Sequence, residues 1–502
     1  MQMMRDVDLA NGYWGALAVL TPMKGNFCLV IDGPIGCHYV PVDSALNYTD
    51  AIPYLQNVFA THIIEKDVAL DGTLHKLRKL CGELLQHYDD IFILSCQESE
   101  IISSEGAMLE AEIDGRRVWY INTASLDIDD YQAREDTLLF LYNRVRPKLP
   151  AQPAKESPKP LVNIIGPTFG NFNAYADFAE IKRIVTSIGA DINVALPFEC
   201  SLNDITRLDD GAVNIIMYKE YGEGLGKALG KPMLFGPIGI AATTEFITEL
   251  GQLLGLEEEA KAFIAEEKRT TLQGFWDVWR SPHQDIFRTS SFGVYAHRTY
   301  TEGLTTFLRD ELGFEEAISA VKTDRWKSKK ALDIEEALLE NTPTLLFGSI
   351  NEKVYITEHI LSTRFIPAAH PMPIVCRATG TPYMGFGGVM YLTQIVSNEL
   401  FDILYSHIHI EYATEKDKRR QEREVSRKEW EEELKGQAVA REVKWSEEAL
   451  KQMDVVLKRV PFFVRVSASK MLKVESEKLA KEKFREYVLP EDVDAIFSRF
   501  KR

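Results

Sequence analysis

The sequence predicts an α/β protein: three Rossmann-like, doubly wound parallel-sheet domains followed by a small C-terminal helical domain. Three observations point there. Short apolar runs such as "FCLVID", "DIFILS" and "DINVAL" alternate with stretches whose apolar residues recur at helical spacing. The runs are apolar throughout rather than every second residue, as strands covered on both faces require. At 502 residues the chain is also too long for a single core.

The elements fall into rounds. The first takes in "FCLVID", the helix-like "TLHKLRKLCGELLQHY" (73–88), "DIFILS" (90–95) and "RRVWYINT" (116–123). It ends in "PKLPAQPAKESPKP" (147–160), whose five prolines read as an extended linker. The second opens with "LVNIIGPTF" (161–169) and continues through the helix "AYADFAEIKRIVTSIG" and the strands "DINVAL" and "AVNIIMY". The third begins near residue 288, continues through "TPTLLFGSINEKVY" (342–355) and closes on "MPIVCRATGTPYMGFGGVMYLTQIV" (372–396). The expected domains are therefore 1–155, 156–287 and 288–410, then a charged helical linker over 411–444 and a small helical domain over 445–502.

Composition narrows the function. The net charge of −17 disfavours nucleic acid and anionic membrane surfaces. With no long apolar run and no secretory leader pattern in "MQMMRDVDLANGYWG", a cytoplasmic protein without a transmembrane segment is expected. Six cysteines (Cys28, Cys37, Cys81, Cys96, Cys200 and Cys376) form no CxxC pair, so a disulfide framework or a self-contained zinc site is not expected. "GEGLGKALG" (222–230) lacks the Walker A spacing, and "GPTFG", "GPIGI" and "GFGG" miss the dinucleotide fingerprint. His407 and His409 of "HIHI" sit in helical context, where neighbours two apart diverge, and make no metal pair.

One turn carries chemistry. In "IDGPIGC" (31–37) a strand runs into a Gly-Pro turn that presents the Cys37 thiol at the strand's carboxyl end, where open α/β sheets bind ligands. Such a thiol is either a small buried hydrophobe or a ligand for a soft metal centre.

A resemblance extends this reading. "GYWGA", "IDGPIGC" and "YTDA" within residues 10–53 resemble the Z-subunit family of chlorophyllide a oxidoreductase, a nitrogenase-like family, and the GPxGC turn is common to that whole superfamily. "VPFFVR" within 445–480 resembles the small C-terminal domain of the tetrapyrrole reductases. The resemblance implies a nitrogenase MoFe-protein-like fold and ATP-dependent two-electron reduction of the C7=C8 bond of chlorophyllide a. It implies that Cys37 is this chain's one ligand to a 4Fe-4S cluster, with three cysteines from a Y-type partner in a heterotetramer. Electrons would come from an X-type homodimeric iron-sulfur reductase that uses ATP and magnesium itself. Cys96, after the second strand, is a further ligand or near neighbour.

For the pigment, Tyr295, His297 and Arg298 of "FGVYAHRTY" form a strand-end group, with His297 as proton donor and the pigment's own propionate as the other source; His370 and Arg377 are further pocket contacts. Val294 stands where the related B-type chain of dark-operative protochlorophyllide reductase has an aspartate, and that B-type chain supplies an aspartate where this chain has Cys37. The B-type chain is the alternative enzyme. A non-catalytic cofactor-assembly scaffold is the alternative of another class.

Overall fold

The computed structural model describes residues 12–37, 56–102, 106–168, 170–280, 284–322, 332–370, 372, 381–412, 443–458, 465–483 and 485–499. The chain divides into two compact units, Met1–Phe401 and Asp402–Arg502, with the division inside the helix Gly385–Tyr412.

Three sheets build the first unit. The first holds β1 (Phe27–Asp32), β2 (Val58–Ala60), β3 (Asp90–Ser95), β4 (Ala111–Ile113) and β5 (Arg116–Ile121) in the order β2-β1-β3-β5-β4. The second holds β6 (Leu161–Ile165), β7 (Asp191–Leu196), β8 (Val213–Ile216) and β9 (Met233–Phe235) as β7-β6-β8-β9. The third holds β10 (Ser291–Ala296), β11 (Glu315–Val321), β12 (Leu345–Gly348) and β13 (Arg364–Pro367) as β11-β10-β12-β13. Each sheet places its second strand outside the first, then crosses back to place the third on the other side. The chain therefore reverses its winding between the first and third strands, and a crevice opens at their carboxyl ends.

The apolar runs explain the layers. Every residue of β1 and of β3 is buried, so both faces of the sheet need cover. The helix Leu74–Leu84 covers one face with Leu77, Cys81 and Leu84, at helical spacing, against Cys28, Val30, Ile91 and Ile93. It is shorter than the expected 73–88 because bonds from Gln86 to Glu83 and from His87 to Leu84 tighten its end into three-residue turns. The first sheet also has an edge hairpin that the sequence reading missed. Asp114 and Gly115 both take positive φ (51° and 79°), which turns β4 back antiparallel onto β5.

Carboxylates on distant elements cap the helices that follow the strands. Glu135, on the helix Asp130–Phe140, accepts from the Gly222, Gly224 and Leu225 amides (2.7, 3.1 and 3.0 Å) at the start of the helix Glu223–Leu229. Glu311 accepts from Ile240 and Ala241 (2.8 and 3.0 Å) at the start of Ile240–Leu254. Asp177 and Glu180 accept from Tyr383, Met384 and Gly387 (2.7, 3.1 and 2.9 Å) around the start of Gly385–Tyr412. The otherwise unpaired first-turn amides of each helix thus tie one sheet's surroundings to another's.

The second unit packs the helices Glu447–Lys458, Arg465–Glu482 and Pro490–Arg499 around Ala449, Val456, Leu472, Leu479, Val493 and Ile496, with a short parallel pair β14 (Lys444–Trp445) and β15 (Tyr487–Val488). Of the expected linker 147–160, the first two residues belong to the short helix Arg146–Lys148 and 149–160 form neither helix nor strand. Most of "VPFFVR", all of "YTDA", and Cys376 lie outside the described residues. So do 413–442, nearly all of the charged stretch.

Candidate metal centre

β1 and β3 are parallel neighbours with Asp32 opposite Ser95, so the residues that follow them emerge side by side at the crevice of the first sheet. One set is the turn Gly33–Cys37. The other is Cys96, first residue of the cap leading into Gln97–Ile101.

The turn is held at both ends. The Gly33 amide donates to Thr61 Oγ1 (3.0 Å), the Ile63 amide to the Gly33 carbonyl (3.0 Å) and the Cys37 amide to the Pro34 carbonyl (3.0 Å). A Cβ on Gly33 would lie 2.5 Å from Cys96 Sγ and 3.1 Å from Cys37 Cβ, so only glycine lets the two cysteines approach. Beneath the turn, Thr61 and Thr73 donate to the two oxygens of the buried Asp32 carboxylate (3.0 and 2.9 Å).

Cys96 Sγ lies 2.9 Å from the Asp32 carbonyl and 3.1 Å from Glu98 Oε2, two acceptors for its one hydrogen, while Cys37 Sγ lies 3.5 Å from the same carboxylate oxygen. Among the described residues, Cys37, Cys96 and Glu98 are the one group of three possible metal ligands, their donor atoms all within 4.8 Å of one another. Burial first, then the neighbouring Cys37 thiol, pushes the pKa of the buried Tyr13 hydroxyl up. Hydrogen bonding to Cys37, followed by burial, pushes the Cys96 thiol up. Cys96 is fully buried, Cys37 is half-buried, and Ile35, two residues before Cys37 in the turn, is 67% exposed. The site opens outward through Cys37.

This donor set suits a soft metal. An all-cysteine iron-sulfur cluster needs four thiolates, and the described residues bring together two. The residues fit one side of a cluster whose remaining ligands come from elsewhere. Cys28, Cys81 and Cys200 are buried apart from this site, as core residues.

Among the described residues, those expected around a pigment differ in their surroundings. Tyr295 lies inside β10 and is buried, with the Lys322 ammonium 5.4 Å from its ring. Arg298 is exposed and pairs with Glu302 (2.7 Å). The half-buried His370 ring lies 6.4 Å from that of Trp14, and Arg377 is outside the described residues.

His297 follows β10 and caps the helix Arg298–Thr306, but it is 3% exposed rather than presented on an open loop. Its Nδ1 pairs with Glu220 Oε1 (2.6 Å), and the Thr299 amide and hydroxyl donate to the same carboxylate (2.7 and 2.6 Å). The rings of Tyr300, Tyr218 and Tyr131 stand 4.4, 5.8 and 6.5 Å away, and Nε2 is buried without a partner. Burial raises the Glu220 carboxyl, but His297 and the two Thr299 bonds outweigh it and hold the group at about 2. A cleft of about 580 Å³ lies elsewhere, lined by Phe275, Trp276, Trp279 and Glu311.

Glu98, Tyr13 and Glu220 were missed from the sequence. Glu98 sits two residues after Cys96, which would have flagged it once β1 and β3 were paired; Tyr13 and Glu220 had no local signal.

The comparisons agree with this architecture. The solved structure of nitrogenase Cp1 at pH 6.5 aligns with TM-score 0.63 and 15% identity, covering 79% of this chain and 93% of that one. The B-type chain of light-independent protochlorophyllide reductase from Gloeobacter violaceus (strain ATCC 29082 / PCC 7421) is 24% identical over 94% of each chain. Its namesake from Jannaschia sp. (strain CCS1) is 26% identical over 71% of this chain and 69% of that one. The family model for nitrogenase component 1 type oxidoreductases matches residues 12–401, the span that holds all three sheets and the cysteine site, and the chain belongs to that family.

Proposed function

We propose that the chain is a subunit of the catalytic component of a light-independent tetrapyrrole reductase, and that Cys37 ligates a 4Fe-4S cluster completed by a Y-type partner. The observation that carries this is the paired-cysteine site at the crevice of the first sheet, open through Cys37. The exposed side chains Ile35 and Ile64, on the turn and on the segment bonded to it, and Ile101, on the helix after Cys96, provide apolar surface of the kind a partner covers.

A bound cluster would supply one-electron transfer. The chain's own residues do the rest. Glu98 faces both thiols and can take the proton that Cys37 loses on ligation. Tyr13 neighbours the same thiol and can offer its hydroxyl proton to the sulfur. Cys96 stays within reach as a second soft donor. Glu220 fixes Nδ1 of His297, so that a proton delivered from this histidine leaves from Nε2, past the Tyr131, Tyr218 and Tyr300 rings. Electrons would be delivered by a separate ATP- and magnesium-dependent iron-sulfur reductase.

Two substrates fit this reading. The curated relatives are named for protochlorophyllide, which supports reduction of its ring D. A cysteine at position 37, where the B-type pattern implies an aspartate, favours chlorophyllide a and its C7=C8 bond. The test is anaerobic reconstitution with Y-type and X-type partners, ATP and each pigment in turn. A bacteriochlorin absorption band from chlorophyllide a alone supports the second substrate, and conversion of protochlorophyllide alone supports the first. Turnover of neither, with the cluster assembled, would overturn the reductase reading.

A further inference from the structure

Two close thiol pairs lie in the module of the first sheet, and they differ in access. Cys28 and Cys81 are both buried in the core, where desolvation and their mutual proximity raise the Cys28 thiol. Cys37 and Cys96 both face Glu98 Oε2 (3.5 and 3.1 Å), with sulfurs inside one 4.8 Å group, and Cys37 is half-buried where Cys96 is fully buried. Cys96 is anchored by its contacts with Asp32 and Glu98 and by Ser99, whose hydroxyl accepts from the Cys96 amide. Next to Cys37 the turn is unpacked at Gly36, where nothing lies within 4 Å of a built Cβ.

We propose that Cys37 and Cys96 are a dithiol modification site: in the chain without its cluster, a small disulfide such as oxidised glutathione converts them to an intramolecular disulfide. Cys37 gives up its proton and its sulfur attacks the glutathione disulfide, releasing one glutathione thiol and leaving a mixed disulfide on Cys37. Cys96 Sγ then attacks Cys37 Sγ, its proton passes by way of Glu98, and the second glutathione leaves as a thiol. Two protein thiols are oxidised and one glutathione disulfide is reduced to two thiols. The movement required is closure of the sulfurs to about 2.05 Å, taken up in the Pro34–Cys37 turn. The cross-link is independent of the cluster reading. Its consequence, that oxidised chain has no Cys37 ligand to offer, rests on that reading.

The full chain, purified anaerobically without partners, is incubated with oxidised glutathione, quenched by alkylation and mapped by peptide mass. The expected product is a Cys37–Cys96 cross-linked peptide two hydrogens lighter than the reduced pair and reversed by dithiothreitol, with Cys28 and Cys81 reduced. Cys96→Ser should stop at the glutathione adduct on Cys37. Wild-type chain that accumulates this same adduct, or that leaves Cys37 unmodified, overturns the proposal. For the consequence, oxidised chain mixed with the Y-type partner, iron and sulfide should not take up iron until dithiothreitol is added; uptake equal to the reduced chain's, with the cross-link intact, removes Cys37 as the ligand and leaves the dithiol chemistry standing.

Discussion

At residue 33 the absence of a side chain decides whether two sulfurs can share one space. Gly33→Ala places a carbon 2.5 Å from Cys96 Sγ, and the fully buried Cys96 has little room to yield. The variant should lose about 1–3 kcal/mol of stability in denaturant titration, as overpacked sites do, and bind less iron with its partner. Wild-type stability would show that the turn relaxes freely.

Glu220 gives a pH dependence of definite sign. Its folded pKa, about 2, lies below the ordinary 4.5, so the stability it adds is complete above the ordinary value and is lost as pH falls toward 2. Glu220→Gln should therefore be less stable than wild type at about pH 6, with the gap narrowing on acidification below about pH 4.5 in chemical denaturation. A gap that stays constant with pH would assign the loss to packing alone.

Cys37 was legible because a Gly-Pro turn after an apolar run is a local signal. The closeness of Cys96 came from the resemblance alone and had no local signal, since it depends on β1 pairing with β3 across 57 intervening residues of chain. Nor was the burial of His297 legible, since it depends on tyrosines from three separate stretches.

Among elements, the strands were the most legible, because burial on both faces leaves a continuous apolar run that needs no partner to be recognised. The β4–β5 hairpin carried an equally local signal in its Asp-Gly pair and was overlooked beside the stronger run "RRVWYI". Helix capping by distant carboxylates left no local trace, since Glu135 reaches helix amides 87 to 90 residues away. Glu135→Gln keeps the shape and removes the charge from three amides. It should lower stability by about 1–2 kcal/mol, measured by urea unfolding. No change would mean that water caps the Glu223–Leu229 helix equally well.

For the whole molecule, three sheets with the same winding make three crevices, and the chemistry-bearing residues sort among them. The cysteines sit at the first sheet, Glu220 follows β8 of the second, and His297 follows β10 of the third. The division into units makes a separate prediction. A chain ending at Tyr412 keeps the helix Gly385–Tyr412 whole and should unfold with the midpoint of the first unit in the full chain, followed by near-ultraviolet circular dichroism; a large drop would show that the second unit stabilises the first. The central claim is that Cys37 ligates an iron-sulfur cluster shared with another chain, and its most direct test is iron content and electron paramagnetic resonance of the anaerobically co-purified complex, wild type against Cys37→Ala. The expected result is a 4Fe-4S signal in the wild type that is lost or changed in form in the variant; an identical signal and iron content in both would contradict it.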